Sequence, residues 1–313
     1  VLPQAAEAGA RMYSNVEATQ ITFSHGAVTG VEALARGDAG QGVANLKIRA
    51  KVVVLSASAT GSSALAISSG ILDPFEQLGA GLRIHPGAVA AGLFDRDMKS
   101  YDGIPQSYEC TELLSFEEGS DRRCWIIPAF AHPIGTASML PGFGASHMTA
   151  MRTYSNLAVL TAMVHDETEG RVGAGHDGRP KISYSMIESD RLQLARGLVA
   201  CARLLFAAGA REVTIPAIPP IRLKNKADLD SLDLSRIRPH SVPLTAVHPM
   251  GGMCMGENPR ASAVKSTGEH HHVRGLFACD GGVFPTSIGG PPQIGIYATA
   301  LRIARHVVER ARG

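Results

Sequence analysis

Residues 275–286, GLFACDGGVFPT, and residues 289–293, GGPPQ, decide the fold. The apolar start of the first segment predicts a strand that ends in Asp280-Gly281-Gly282, where backbone amides and a carboxylate can meet a ligand. The second segment predicts a helix from Gln293 to about Arg312, because proline favours the first turn of a helix. The free amides of that turn attract anionic groups. A ligand site between strand end and helix start is one interpretation, and ordinary structural turns are the other.

A histidine lies upstream of this region, in the segment His248-Pro249-Met250-Gly251-Gly252. Histidine can act as a general base because its ordinary pKa lies close to neutral pH. The same loop also suggests a copper-binding module, since Met253, Cys254 and Met255 add soft ligands. We favour the packing of a methionine-rich loop over copper, and we expect no metal site in the chain.

Two further motifs suggest functions that their surroundings argue against. Residues 173–178, GAGHDG, match G-x-G-x-x-G, but strand-like residues follow where a nucleotide fingerprint requires a helix. We therefore predict a hairpin turn. Three consecutive histidines at 270–272 cannot all bind one ion on an extended chain, because neighbouring side chains point to opposite faces. For these histidines we expect a solvated loop.

The composition is that of a globular protein. The 313 residues are 45% hydrophobic and 19% charged, which is enough to build a sizeable core. A formal net charge of +2 argues against a partner that is nucleic acid or a membrane surface. No apolar stretch approaches the roughly 20 residues of a transmembrane span. Five cysteines without a C-x-x-C pair indicate free thiols and not a disulfide framework or a zinc site.

Periodicity predicts a mixed α/β chain. The apolar run Val52–Leu55 is typical of a strand buried on both faces of a parallel sheet. The best helix has apolar residues at helical spacing, a capping box from Ser185 to Glu188, and Gly209 at its end. The ranges predicted as strands are 88–94, 107–114, 123–127 and 157–165, and those predicted as helices are 134–151 and 188–208.

Together, the segments around His248, Asp280 and Gln293 resemble the C-terminal signature of the glucose–methanol–choline (GMC) flavin oxidoreductases. Other parts of the chain resemble the same family, and the resemblance looks closest to its long-chain alcohol oxidase branch. Residues 58–71 resemble its G-A-x-G-S-P-x-L-L-L-x-S-G segment, residues 82–86 its N-L-R-x-H-P stretch, and residues 9–21 its adenine-side strand.

The resemblance implies an α/β (α+β) fold that is a partial FAD-binding GMC fold. Residues 1–85 and 240–313 would form parts of the FAD-binding domain. Residues 86–239 would form the substrate-binding domain, an antiparallel sheet with helices on one side. The family's N-terminal dinucleotide-binding βαβ unit, with its G-x-G-x-x-G, would be absent. The chain would then be the C-terminal part of a flavoenzyme, and it could be inactive alone.

The resemblance also implies a reaction and its residues. GMC enzymes move a hydride from an alcohol carbon to FAD while a histidine takes the hydroxyl proton, and by position that base would be His248. Asp280 and Gly281 would contact the ribityl-pyrophosphate part of FAD. Pro292 and Gln293 would lie by the flavin pyrimidine edge, and Ala18 would meet adenine.

The substrate would be a small apolar alcohol. The side chains expected to line its site are Phe94, Leu113, Leu114, Phe130 and Leu140.

Departures from the family pattern keep a second hypothesis open. Pro291 stands where the family usually has an Asn or His that assists the base, and proline has no donor. Either another side chain substitutes or the chemistry is altered. Ser58 replaces a common glycine and fits if its φ stays negative. The chain could therefore be a catalytically inactive scaffold subunit of a split flavoenzyme, with the missing N-terminal half or a separate subunit as its partner.

Overall fold

The computed structural model describes residues 1–104, 106–117 and 119–313. The helices are α1 (Leu2–Glu7), α2 (Ser58–Ser68), α3 (Pro133–Met139), α4 (Ala145–Met151), α5 (Glu188–Ala207), α6 (Lys226–Asp230) and α7 (Gln293–Arg312). The strands are β1 (Val16–Ser24), β2 (Ala27–Arg36), β3 (Gly42–Arg49), β4 (Val53–Leu55), β5 (Ala80–Leu82), β6 (Gly87–Leu93), β7 (Cys124–Pro128), β8 (Leu157–Val164), β9 (Gly170–Ala174), β10 (Pro180–Ser183), β11 (Glu212–Ile215), β12 (Ile221–Leu223) and β13 (Leu276–Ala278).

A five-stranded antiparallel sheet, in the order β12-β11-β6-β8-β7, dominates the middle of the chain. Alternate residues of each strand point to opposite faces. One face packs against α5 in a single core cluster that includes Ala88, Ala90, Ile126 and Leu198. The residues between them, such as Val89, point to the other face, which we call the open face.

A second core cluster joins the beginning of the chain to its end. β4 and β13 pair in parallel, although their first positions, Val53 and Leu276, lie 223 residues apart along the chain. Their apolar side chains pack against α2, β1 and Ile303, the buried residue of α7. The remaining strands form two three-stranded sheets, β1-β2-β3 and β10-β9-β5.

Several sequence predictions are confirmed. β13 and α7 form where the C-terminal motif predicts a strand and a helix. The 173–178 motif lies in a hairpin between β9 and β10, as expected. α5 ends before Gly209, which has the positive φ of 97° that favours glycine. All five cysteines are free.

Other expectations are wrong in detail. Val54 in β4 is 40% exposed, so that strand is buried on one face only. The capping box at Ser185 does not form, because the N-cap of α5 is Ile187 and not Ser185. The backbone amide of Ile187 donates a hydrogen bond to Thr168 Oγ1 instead. The predicted 134–151 helix is two short helices, α3 and α4. Residues 107–114 make isolated bridges at Cys110 and Leu114 in place of a strand.

The helices of the central region are not confined to one side of the sheet. α5 covers one face, whereas Gly135, Thr136 and Met139 of α3 line a cavity with Val89 and Ala91 on the open face. The expectation of helices on one side is therefore wrong. In the part of the chain that the structure describes, no helix is long and apolar enough to cross a membrane.

We predict that Gly197→Ala lowers the free energy of unfolding by about 1–3 kcal/mol through overpacking. A Cβ at Gly197 would lie 2.4 Å from Cys124 Sγ and 2.8 Å from Ala162 Cβ, so α5 and the sheet would have to separate. Urea unfolding measures the change. Gly135→Ala is the control, because a Cβ there meets no atom within 4 Å. Unchanged stability of Gly197→Ala would contradict the close contact.

Candidate active site

Two antiparallel backbone segments bring His85 and His248 together. Arg83 and Met250 exchange both backbone hydrogen bonds, each 2.8 Å long. Gly87 and Thr245 do the same, also at 2.8 Å. Residues midway between these two pairs face each other, which places His85 opposite the backbone at His248. The pairing is local in space, although 163 residues separate the two histidines along the chain.

The two imidazole rings are hydrogen bonded. His85 Nδ1 lies 2.9 Å from His248 Nδ1, and the ring centroids are 5.1 Å apart at an interplanar angle of 27°. Trp125 stacks on His85 with a centroid separation of 6.3 Å and an interplanar angle of 18°. His248 therefore has His85 as an imidazole partner, and it does not need one from the side chain at position 291.

Burial keeps both rings neutral. His85 is 0% exposed, and burial followed by the neighbouring His248 and His165 lowers its pKa to about 3. Burial also lowers the pKa of the half-buried His248. Two neutral imidazoles joined through Nδ1 share one proton in that bond, so one ring donates and the other accepts. His85 Nε2 has no hydrogen-bond partner in the described part of the chain.

A buried carboxylate fixes the backbone of His85. Asp166, which is 2% exposed, accepts hydrogen bonds from Ile84 N at 3.0 Å and His85 N at 3.2 Å. Tyr184 donates its hydroxyl to the same carboxylate at 3.0 Å. Burial and this carboxylate raise the pKa of Tyr184, which remains a donor at neutral pH. These bonds hold His85 at a φ of 48°, a left-handed conformation that is uncommon for histidine.

His248 lies on the wall of a cavity of about 470 Å³, which we call the central cavity. Residues of the open face, the His248 loop and the beginning of α7 surround it. Its lining includes Trp125, Ile127, Met163, Val247, His248, Pro291, Pro292, Gln293, Ile296 and Tyr297.

The N-terminus of α7 opens on the central cavity without a side-chain cap. Its first backbone hydrogen bond runs from Ile296 N to Pro292 O at 2.8 Å. The amides of residues 293–295 therefore have no backbone acceptor among the described residues, and the positive end of the helix dipole faces the cavity. Gln293 is exposed, and its side-chain Nε2 donates a hydrogen bond to Tyr297 Oη at 2.8 Å.

Asp280 lies at the end of β13, next to the start of α2. Its carboxylate accepts from Ser62 Oγ at 2.5 Å and from Gly282 N at 2.7 Å, and burial raises its pKa. Gly281 O accepts from Gly251 N at 3.1 Å, which joins this turn to the His248 loop. At Gly252, a Cβ would lie 2.5 Å from Ser63 Oγ. The backbones of three segments therefore meet without intervening side chains.

This arrangement fits FAD, a long anionic cofactor with a ring that takes up negative charge on reduction. The glycines beside Asp280 let three backbone segments lie close together, and the uncapped α7 terminus favours an anionic group near His248. Among the predicted site residues, His248, Pro292 and Gln293 line one cavity. Asp280 and Gly281 connect to it through the His248 loop. Ala18 is exposed on β1, pairs with Ala33, and does not line that cavity.

Four sequence interpretations around the site need correction. Ser58 has a φ of 69°, so the expectation of a negative φ is wrong. His270 is 2% exposed and accepts two backbone amides through Nδ1, so it is not in a solvated loop. Phe94 and Leu113 pack in the α5 core and not at a substrate site. Leu114 packs against the open-face side chains Trp125, Ile127 and Met163, whereas Phe130 and Leu140 do line a cavity, described below.

The structure argues against a copper site, because candidate ligands for copper are buried in the core or already hydrogen bonded. Met250 and Met253 are both 0% exposed, and His248 Nδ1 is bonded to His85. Among the described residues, no group of three or more His, Cys, Asp or Glu side chains could hold a metal ion. The methionine-rich loop is packed, as the plainer interpretation holds.

His85 is the residue of the candidate site that the sequence analysis did not single out. It appears there only inside the stretch 82–86 that resembles the GMC family. The sequence offers little to single it out, because the dipeptide His-Pro occurs at 85–86, at 132–133 and at 248–249. Nothing in the sequence alone indicates that the first and the last of these pair.

The fold is shared with solved flavoenzyme structures. A formate oxidase of Aspergillus oryzae, whose structure was solved in a study of FAD modification, superimposes with a TM-score of 0.66 at 12% identity. The match covers 95% of this chain and 60% of that one. At this identity the similarity shows the fold alone.

Sequence comparison gives the family. Models of the GMC oxidoreductase family match residues 1–87 and 166–300. An uncharacterized GMC-type oxidoreductase of Mycobacterium tuberculosis is 34% identical over 100% of this chain and 48% of its own length. Long-chain-alcohol oxidase FAO3 of Arabidopsis thaliana is 30% identical over 84% of this chain and 37% of its own length. The chain belongs to the GMC oxidoreductase family, whose members depend on FAD, and both predictions are confirmed.

The chain spans about half the length of the curated relatives that it matches along its whole length. The N-terminal family model nevertheless matches residues 1–87. The expectation that the family's N-terminal dinucleotide-binding domain is absent is therefore not confirmed.

We predict that Asp166→Asn lowers the free energy of unfolding by about 1–3 kcal/mol. Asparagine replaces one carboxylate oxygen by an NH₂ group, and this NH₂ would face one of the N–H or O–H groups that now donate to the carboxylate. Urea unfolding measures the loss, and Tyr184→Phe is the matched control because it removes only one of the three bonds. A larger loss in the Tyr184 variant than in the Asp166 variant would contradict the central role of the carboxylate.

Proposed function

We propose that the complete protein oxidises the CH–OH group of an alcohol and that His248 takes the hydroxyl proton. The observation that carries this proposal is the neutral His85–His248 pair on the wall of the central cavity, opposite the uncapped N-terminus of α7. Membership of the GMC family supports the general reaction. The long-chain-alcohol oxidases among the relatives support an alcohol as the substrate.

The hydrogen bond to His85 decides which nitrogen of His248 reacts. Nδ1 is engaged by His85, whereas Nε2 has no partner among the described residues. His248 can accept a proton at Nε2 only if its own proton lies on Nδ1 and is donated to His85 Nδ1. His85 must then carry its proton on Nε2, where it is buried and unpaired. Because the pKa of His85 is about 3, this ring remains an acceptor at neutral pH.

When bound, FAD supplies the acceptor for the hydride that leaves the alcohol carbon. Asp280 and Gly281 are proposed to hold its ribityl-pyrophosphate part, and Ala18 its adenine. Pro292 and Gln293 are proposed to lie by the pyrimidine edge, where the amides of α7 would stabilise negative charge. Trp125 and Ile127, which line the same cavity as His248, would help to keep water from the reacting atoms.

The domain boundaries remain a proposal. We assign residues 1–85 and 240–313 to the FAD-binding domain and residues 86–239 to the substrate-binding domain. The two large core clusters support this division, because one is built from residues 88–237 and the other from residues 21–78 and 253–303.

We predict that His248→Ala slows flavin reduction about 10²–10⁴-fold, the range for loss of a general base, while FAD stays bound. Stopped-flow absorbance under anaerobic conditions measures the rate, and the flavin spectrum after desalting measures retention. His176→Ala, in the β9–β10 hairpin turn, is the control and should reduce at the normal rate. An unchanged rate in His248→Ala would overturn the assignment of the base.

We predict that His85→Ala slows flavin reduction roughly 10–100-fold, because protonated His248 loses the acceptor for its Nδ1–H. His85→Asn should recover most of this loss. Asparagine tolerates the φ of 48° at this position, and its side-chain oxygen can accept from His248 Nδ1. The thermal midpoints of both variants provide the structural control. Equal rates in the two variants would show that an acceptor at this position does not matter.

The inactive-scaffold hypothesis rests on Pro291, which cannot assist His248, and on the expected absence of the nucleotide-binding loop. We propose that His85 takes the assisting role through its hydrogen bond to His248, in which case Pro291 does not argue for inactivity. The comparisons give no support for a partner subunit. Flavin reduction by an alcohol in the His248 experiment distinguishes the two functions directly.

A further inference from the structure

We propose that a second cavity, on the open face beneath α3, binds the alkyl tail of the substrate. This inference rests on the proposed alcohol oxidation and specifies its substrate as a long unbranched chain. The cavity has a volume of about 180 Å³, and we call it the tail cavity. It lies apart from His248 and contains none of the residues assigned to FAD.

Strand alternation places the tail cavity on the same face of the sheet as the central cavity. Ala88 and Ala90 point to α5, so Val89 and Ala91 point to the open face. On β7, Cys124 and Ile126 point to α5, so Ile127 points to the open face. Val89 and Ala91 line the tail cavity, and Ile127 lines the central cavity.

The strand register makes the two cavities neighbours. Thr161 of β8 pairs with Ile127 on one side and with Val89 on the other, so the two lining residues lie about 10 Å apart, which is two strand spacings. Along the other direction, Ala129 of the tail cavity follows Ile127 by two residues, about 7 Å away on the same face. The two cavities are therefore neighbours on one face of the sheet, and an alkyl chain that occupies both would cross this face at Thr161.

The chemistry of the lining selects an apolar, uncharged ligand. Residues 129–151, which include α3 and α4 and cover the cavity, contain no Lys, Arg, Asp or Glu. Phe130, Met139, Leu140 and Val159 supply most of the apolar wall. A saturated chain would lose water-exposed area against these side chains without leaving a buried charge unpaired.

The tail cavity continues into a third cavity with a polar end. Ala91, Leu140, Pro141 and Thr214 line both, and the third cavity adds the charged residues at its far side, Glu212 and Arg222. The apolar path therefore ends where these charges begin. Chain length should improve binding up to that point and add nothing beyond it.

The test compares primary alcohols from ethanol to hexadecanol on the FAD-loaded protein. We expect kcat/KM to rise about fourfold for each added methylene once the chain reaches the tail cavity, and then to level off. Ala91→Phe should fill the cavity and remove this rise. Gly135→Leu is a second filling variant on α3, where an added Cβ meets no atom within 4 Å. Ala207→Phe, at the far end of α5, is the matched control.

A direct binding measurement separates this inference from the proposed reaction. Titration calorimetry with 1-decanol should show binding to the unsubstituted protein and to Ala207→Phe, and loss of binding in both filling variants. Equal binding in all variants would overturn the tail cavity as the site. Turnover of short alcohols without any dependence on chain length would overturn it as well, while leaving alcohol oxidation intact. Decanol binding that is lost in the filling variants, without turnover of any alcohol, would support the site and overturn the reaction.

Discussion

The candidate active site depends on one buried carboxylate, that of Asp166. It accepts hydrogen bonds from the backbone amides of residues 84 and 85. These bonds hold His85 in a left-handed backbone conformation in the segment that pairs with residues 245–250. Without these bonds, the amides of both residues would lack acceptors, and only the flanking backbone pairs at residues 83 and 87 would hold His85 at its positive φ. The position of His248 relative to its partner ring follows from that geometry.

Small residues determine what each face of the central sheet can do. β6 has the sequence GAVAAGL, so α5 can approach one face closely. Gly197 of α5 allows the same approach opposite Cys124 and Ala162. On the open face, the short side chains of Val89 and Ala91 leave space between the sheet and α3. One short strand therefore provides both a tight joint and a cavity.

Local patterns predicted much of this fold. The apolar run followed by Asp280-Gly281-Gly282 predicted β13 and its turn, and the Pro-Pro-Gln293 start predicted α7, because these signals depend on neighbouring residues only. The partner of His248 was not predictable, since pairing across 163 residues leaves no periodic trace in the sequence. His270 was misjudged because its Nδ1 accepts the amides of residues 272 and 273 in a tight turn, which a run of three histidines does not indicate. The capping box failed because Thr168, from another loop, bonds the helix start instead.

The joint between α5 and the sheet contains sulfur that is chemically silent. Cys124 is 1% exposed and Cys201 is 0% exposed, and burial raises the pKa of Cys124 to about 12 and raises that of Cys201 as well. The thiolate is the form that reacts with peroxides and alkylating reagents, and almost none is present at these two positions at neutral pH. The two thiols would therefore react with an oxidant only after the fold has opened. Thiol labelling at Cys124 then reports on unfolding and not on the reactivity of the thiol in the folded protein.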